Sequence, residues 1–296
     1  LKYFCKKADN PQPFTRPAWS YEFKSCSDFA KRRHPRIPKT EEIEYQWVNE
    51  LGGLRDTYAD GEEIRDDLLR LIHGLWDHTK NYCSEYKDEA ANYQLAWVGH
   101  IMGKRENRRL IGDYVLTMND IHNQTLFPDR VSFGAWCLDD HVSDGFFGKA
   151  DTVHSWGNDY MGVPFSIPFR ALYSKNVDNL LMAGRDISAS HLGMSDTRVQ
   201  LTTAIMGHAV GTAAGMCIQK RVTPRGLWQD YMPQLQQQLL KEGANVIGLA
   251  EDDPRDLAPK AKAAASSEGA YQDRTMPARN VIDGFARITG GDPKAW

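Results

Sequence analysis

A mixed α/β fold is what the sequence predicts, and three stretches carry the prediction. Asn179-Leu180-Leu181-Met182-Ala183 is short and apolar and stops at Gly184, the pattern of a strand buried on both faces of a parallel sheet. After a polar loop, Arg185 to Thr197, a long helical pattern opens at Val199 and runs to Lys220. Upstream, Ile64, Leu68, Leu71, Ile72, Leu75 and Trp76 recur on one face at helical spacing. A strand, a turn at glycine and a helix in that order form half of a parallel βαβ unit.

The remaining elements follow in chain order. Residues 1–40 mix Pro, aromatic and basic residues without a sustained period and read as loop and edge structure. Glu42 to Trp47 alternates polar and apolar, as a half-buried strand does, and Gly52-Gly53 closes it. Asp60 is placed to cap the upstream helix, with Glu63 as its return partner, and the helix should run to Tyr82. His73 and His78 in that helix are five positions apart, a spacing that splays two ligands across an α-helix, so both read as surface or cap histidines. Arg108 to Leu116 reads as a strand, and Thr117-Met118-Asn119-Asp120 as a capping box opening a short helix. Pro128 to His141 is loop and strand. Lys220 and Arg221 suit the end of the long helix, with Pro224 beyond it. Residues 225–262 read as a terminal helix and linker, and from Ala263 a new β domain begins and is cut short.

Composition excludes several classes. The 296 residues carry 36 Lys+Arg against 39 Asp+Glu, a net charge of −3, which gives no field for steering nucleic acid or anionic lipid. With 41% hydrophobic and 25% charged residues the chain is neither disordered nor fibrous. No unbroken apolar run approaches the roughly 18 residues of a membrane span. Five scattered cysteines (Cys5, Cys26, Cys83, Cys137, Cys217) include no C-x-x-C pair, so neither a zinc ribbon nor a disulfide framework is expected. The chain opens at Leu1 with no initiator Met or signal peptide and stops at Trp296, which reads as a piece of a longer protein.

The stretch from Asn179 to Gly215 is the richest in chemistry. Gly207, Gly211 and Gly215 recur every four residues, at about 1 kcal/mol each against alanine in a helix interior. A bare face of that kind admits a flat ligand or another backbone; tight packing without a ligand is the alternative. Gly184, a polar loop and a helix N-terminus together suit an anionic or polar ligand, which backbone N–H groups would meet. Arg198, at that N-terminus, opposes the helix dipole and calls for an anionic partner: a bound phosphate, or Asp196 or Asp186. His141, with Asp139, is a candidate acid/base or a turn histidine held by local carboxylates. Adjacent residues seldom converge on one ion, so Asp139-Asp140-His141-Asp144 is a poor metal set. Arg105, Arg108 and Arg109 would bind an anionic substrate, or pair internally with Glu106 and Asp113.

Val177 to Arg185, Ser195-Asp196-Thr197-Arg198-Val199 and Gly207-His208-Ala209-Val210-Gly211-Thr212-Ala213-Ala214 together resemble the C-terminal signature of bacterial FAD-dependent oxidoreductases of the heterodisulfide reductase A-like group. Glu62 to Leu69 with Gly74-Leu75-Trp76-Asp77-His78 resembles that family's helical segment. Arg105-Glu106-Asn107-Arg108-Arg109-Leu110-Ile111-Gly112-Asp113-Tyr114 resembles its R-E-x-R-R-x-x-G strand, and Asp139-Asp140-His141 its D-x-H motif. The resemblance spans residues 10–245. It implies an incomplete FAD/NAD(P)-binding Rossmann-type domain (171–222) beside a mixed-sheet and helical substrate domain (1–170). FAD would be the cofactor, with Gly184, Arg185 and Asp186 beside the ribityl chain. The backbone of Arg198, Val199, Gln200 and Leu201 would face the pyrimidine end, and Gly207 and Gly211 would give close approach. Hydride would pass between flavin and a small organic substrate, with His141 and Asp139 catalytic and Arg105 and Arg108 on the substrate. Arg185 stands where such proteins often carry an acid, which shifts that role toward Asp186. No G-x-G-x-x-G occurs anywhere, so the pyrophosphate fingerprint is missing and the chain should hold FAD weakly. The iron–sulfur cluster of heterodisulfide reductases has no cysteine support. Pro277 to Arg287 with Asp292 to Trp296 resembles the start of a discoidin-like, galactose-binding β-sandwich, which implies a glycan partner and a periplasmic or secreted parent. The competing expectations are a carbohydrate-binding scaffold whose flavoprotein-like core has lost catalysis, and a metal-dependent hydrolase built on the Asp/His cluster.

Overall fold

The computed structural model describes residues 1, 3–28, 49–104, 106, 108–141, 143–148, 153–154, 164–271 and 274–284. The strand expected at Glu42–Trp47, Arg105 and the last part of the discoidin-like motif lie outside the described residues. The chain parts into two compact units, residues 1–107 with 141–153, and residues 108–140 with 154–296.

In the first unit, β1 (Tyr3–Lys7) pairs antiparallel with β2 (Tyr93–Val98), with a register shift between Phe4 and Cys5. The predicted upstream helix is α1 (Gly61–Asp77), and all six of its periodic apolar residues are buried. They divide between two clusters. Ile72 and Trp76 pack with Tyr3, Cys5, Ala90 and Tyr93, while Ile64, Leu68, Leu71 and Leu75 pack with Phe23 and Phe146. Asp60 does precede the helix but makes no side-chain cap bond. Its carboxylate lies 3.6 Å from Arg55, which also takes Glu63 at 2.5 Å and Asp67 at 3.0 Å. One guanidinium fork collecting three carboxylates outcompetes the peptide N–H groups for both members of the expected box.

After Asp77 the helix widens into a single π-turn, His78–Tyr82, closed by Cys83 N donating to the His78 carbonyl at 2.8 Å. The expected end at Tyr82 therefore holds, but its last turn is not α-helical. His78 is not a surface residue: it is fully buried, and its Nδ1 lies 2.9 Å from the Phe23 carbonyl. Lys80 projects from the same turn and donates to the carbonyls of Ala90, Ala91 and Tyr93 at 2.7–2.8 Å, tying the short helix α2 (Lys87–Ala90) and the start of β2 to it.

The second unit opens with α3 (Met118–His122), where the Thr117–Asp120 capping box forms in both directions. β3 (Arg130–Gly134) pairs antiparallel with β4 (Phe165–Pro168). Seven-residue α4 (His191–Thr197), α5 (Gln200–Lys220) and α6 (Pro224–Lys241) follow. α5 buries Thr202, Met206, Ala209, Ala213 and Met216, a stripe of mostly modest side chains along which β3 and α6 pack. An 18-residue window of α5 reaches a mean hydropathy of 1.3, enough by length and composition to cross a membrane, and 33% of that window is buried within the fold. Pro224 begins α6 rather than merely lying past α5: Thr223 caps it and Pro occupies the first turn, where no N–H is needed. A small hairpin, β5 (Gly269–Tyr271) with β6 (Arg274–Met276), follows the linker.

Two expected strands are not ladders. Asn179–Ala183 has a single antiparallel bridge, Leu181 to Tyr173, backed by Met182 N donating to the Leu172 carbonyl at 2.7 Å. Met182 is buried but Ala183 is exposed, so the segment is not covered on both faces. Arg108–Leu116 bends at Asp113 and Tyr114, and its backbone groups go to separate segments: Leu110 to Asp186, Ile111 to Lys175, Tyr114 to Arg170 and Leu116 to Ser188. Among the described residues no neighbour runs alongside long enough to make a sheet. Among the described residues the architecture is helices with small antiparallel sheets, and its one recorded parallel contact is the Leu116–Ala189 bridge.

Candidate functional site

The candidate site forms where α4 hands over to α5 in the second unit. Ser190 caps α4 by accepting from Gly193 N at 3.1 Å. Gly193 is required there, since a Cβ would come within 2.7 Å of the Leu116 carbonyl oxygen. This docking drives the C-terminal half of α4 inward and buries Ser195, Asp196 and Thr197.

Asp196 is 0% exposed, and neither carboxyl oxygen has a hydrogen-bond partner among the described residues. Burial raises its pKa from 3.8 to about 7; nearby Arg198 pulls it down and the Asp139 charge pushes it further up. The chain thus holds a carboxyl that can keep a proton near neutral pH. Arg198 does have the anionic partner its position demands, but it is none of those expected. It binds Asp139, with Nη2 2.7 Å from Oδ2 and 3.1 Å from the Asp139 carbonyl oxygen. Next to Asp139, Asp140 meets His191 Nε2 at 2.9 Å. Cys137 is buried close by, and burial raises its thiol pKa, helped by the charges of Asp139 and Asp196.

α5 begins at Gln200 with Val199 as its cap residue, which has no side-chain acceptor to offer. Thr203 N bonds back to the Val199 carbonyl, so the amides of the first turn ahead of it have no acceptor within the helix. Leu201 there is 72% exposed. Gly184 has φ +130°, a conformation L side chains rarely adopt, and the turn it makes leaves Arg185 and Asp186 exposed. The glycine stripe is the main surprise. Among the described residues a Cβ at Gly207, Gly211 or Gly215 would meet nothing within 4 Å, so tight packing within them is not what these glycines serve. The buried face of α5 is the other one, at Met206, Ala209 and Ala213.

The remaining candidates are dispersed. His141 belongs to the first unit, where its Nδ1 lies 2.6 Å from Glu50 Oε2. Asp139, Asp140 and His141 therefore turn to three different partners and do not converge as a metal set. Arg108 is exposed. Asp113, considered as an internal partner for the arginine cluster, instead receives Arg225 through two bonds of 2.7 and 2.9 Å, together with the Tyr173 hydroxyl at 2.8 Å. Sequence reasoning missed Asp196 as a titrating group and Glu50 as the partner of His141. A seven-residue helix has too short a period to show which side is buried, and Glu50 is 91 positions from His141.

A family model described as FAD dependent oxidoreductase matches residues 3–239, taking in both units up to the end of α6 but not the β5–β6 hairpin. No curated protein and no solved structure matches the chain. The match covers most of the chain: the chain belongs to the FAD-dependent oxidoreductase family.

Proposed function

We propose that the second unit carries the ring end of an FAD site at the start of α5, and that the enzyme passes hydride between flavin and a small organic substrate. The family match supplies the cofactor and the redox class. The observation that carries the location is the first turn of α5, exposed and capped by a residue with no acceptor, at the head of a 21-residue helix. The residues fit the group: exposed Gln200 and Leu201 in the first turn of α5, a positive-φ glycine at Gly184, and exposed Asp186 with an oxygen for a ribityl hydroxyl. Bound FAD supplies the hydride acceptor or donor. The helix N-terminus favours negative charge placed before it. Asp139 neutralises Arg198 and holds its guanidinium in place, so the positive end there is the helix itself. Asp196 holds a proton at its carboxyl near neutral pH, and His141, its ring oriented by Glu50, exchanges one with substrate. Arg105 and Arg108 would take an anionic group of the substrate. Residues 1–170 are then the substrate part and 171–222 the FAD part. The heterodisulfide reductase A-like placement, and the discoidin-like reading of the last residues with its glycan partner, belong to the same proposal and rest on their motifs.

Titration with FMN and FAD, oxidised and reduced, tests the location. FMN carries the ring and ribityl chain without the adenosine half, so it reports the α5 end alone. Both should bind weakly, with the reduced form favoured by about two- to five-fold, the 0.3–1 kcal/mol of a helix terminus. Leu201→Glu should abolish that preference. Equal affinity for both redox forms, or a preference untouched by Leu201→Glu, would refute the location. A submicromolar dissociation constant for FAD would refute the weak binding expected of a chain without G-x-G-x-x-G.

A further inference from the structure

The first unit holds a second constellation, unconnected to the flavin reading. The π-turn that ends α1 brings His78 and Cys83 together. Five positions apart, they would diverge on an α-helix, but the Cys83 N to His78 O bond closes a wider loop. The 3-10 turn Cys26–Asp28 delivers Cys26 to the same point, with Sγ 3.6 Å from His78 Nε2. The two sulfurs and the imidazole nitrogen all lie within 4.8 Å of one another.

We propose that Cys26, His78 and Cys83 form a three-ligand zinc site whose fourth position is taken by water. Ligand type and geometry both favour it. Two thiolates and an imidazole are a zinc donor set, with bonds of about 2.3 and 2.0–2.1 Å. Tetrahedral angles on those lengths place sulfur and nitrogen about 3.6 Å apart, the separation that Cys26 and His78 already have. Cys26, the exposed member, can adjust toward the ion, while His78 and Cys83 are buried.

The surrounding contacts prepare the same outcome. His78 Nδ1 faces the Phe23 carbonyl at 2.9 Å, an acceptor only, so the ring proton sits on Nδ1 and the Nε2 lone pair points at Cys26. Cys83 Sγ accepts backbone N–H bonds from Glu85 and Tyr86, which orient the sulfur. Zinc here would staple the segment after Phe23 to the end of α1, 52 positions away, and would bind only the folded chain.

The test uses the whole chain, reduced and stripped of metal, titrated with Co(II) and then with Zn(II). We expect one equivalent of Co(II) with thiolate charge-transfer and tetrahedral ligand-field bands, displaced by Zn(II). Zinc should raise the midpoint of thermal unfolding and protect Cys26 from thiol reagents. Cys26→Ser, an exposed change that spares the core, should weaken zinc at least tenfold and lower the charge-transfer intensity. Cys217→Ala should alter neither. A folded chain that gives no thiolate–Co(II) band, or one whose band survives Cys26→Ser unchanged, would overturn the site. So would equal reactivity of Cys26 with and without zinc, which would leave only a thiol–imidazole hydrogen bond.

Discussion

Asp196→Asn isolates the cost of a buried acid. The Asp196 carboxyl titrates at about 7 in the folded chain and near 3.8 when exposed. At 1.36 kcal/mol for each unit between them, the folded state is disfavoured by about 4 kcal/mol once both forms are ionised. The sign follows from the direction. Because the folded pKa lies above the unfolded one, the penalty is absent below 3.8, grows as pH rises, and is complete above about 7. The wild type should therefore lose about 1.4 kcal/mol per pH unit, relative to the variant, between those limits. Asparagine stays neutral, and the cost of burying its amide is the same at every pH, so it shifts the variant's curve without tilting it. Urea unfolding of both proteins across that range gives the two curves. Parallel curves would show that Asp196 reaches solvent or a partner, and would remove it as a proton store.

Three other perturbations read different features. Gly211→Ala should stabilise the chain by up to about 1 kcal/mol, because the new methyl meets open space and the helix gains propensity; Gly193→Ala should cost about 1–3 kcal/mol, because its Cβ would strike the Leu116 carbonyl. Denaturant midpoints check both, and a loss of stability from Gly211→Ala would mean that the face is covered in the folded chain. Asp113→Asn should cost about 1.5–3 kcal/mol, chiefly through the charged hydrogen bond to the buried Tyr173 hydroxyl. Arg225 and Tyr173 hold the Asp113 carboxyl below its usual range, so the wild type should keep this contribution above 3.8 and lose it on further acidification, while Asp113→Asn shows no such loss.

What the sequence made legible was local. The apolar face of α1, the reciprocal Thr117–Asp120 cap and the extent of α5 all follow from residues within a turn or two of one another, and all are present. Arg198 was correctly seen to need an anion, but Asp139 lies 59 positions back and nothing in the spacing points to it. The strands at Arg108–Leu116 and Asn179–Ala183 failed for a related reason. Apolar composition shows that a segment is packed, whereas a ladder needs a neighbour that composition does not reveal. His78 shows the limit most sharply. It reads as a surface or cap histidine, and no residue between His78 and Cys83 announces the wider turn that buries it beside Cys83.

That wider turn makes the end of α1 sensitive to length rather than identity. Side chains at Thr79 through Tyr82 can change while the backbone bond from Cys83 to His78 survives. Deleting any one of the four would let the turn tighten to ordinary α pitch, leaving Cys83 four positions from His78. The bond from Cys83 to His78 would become an ordinary α-turn bond, and the three carbonyls that Lys80 gathers from α2 and β2 would be drawn out of register with it. Over these five residues, evolution can rewrite the letters but not shorten the word.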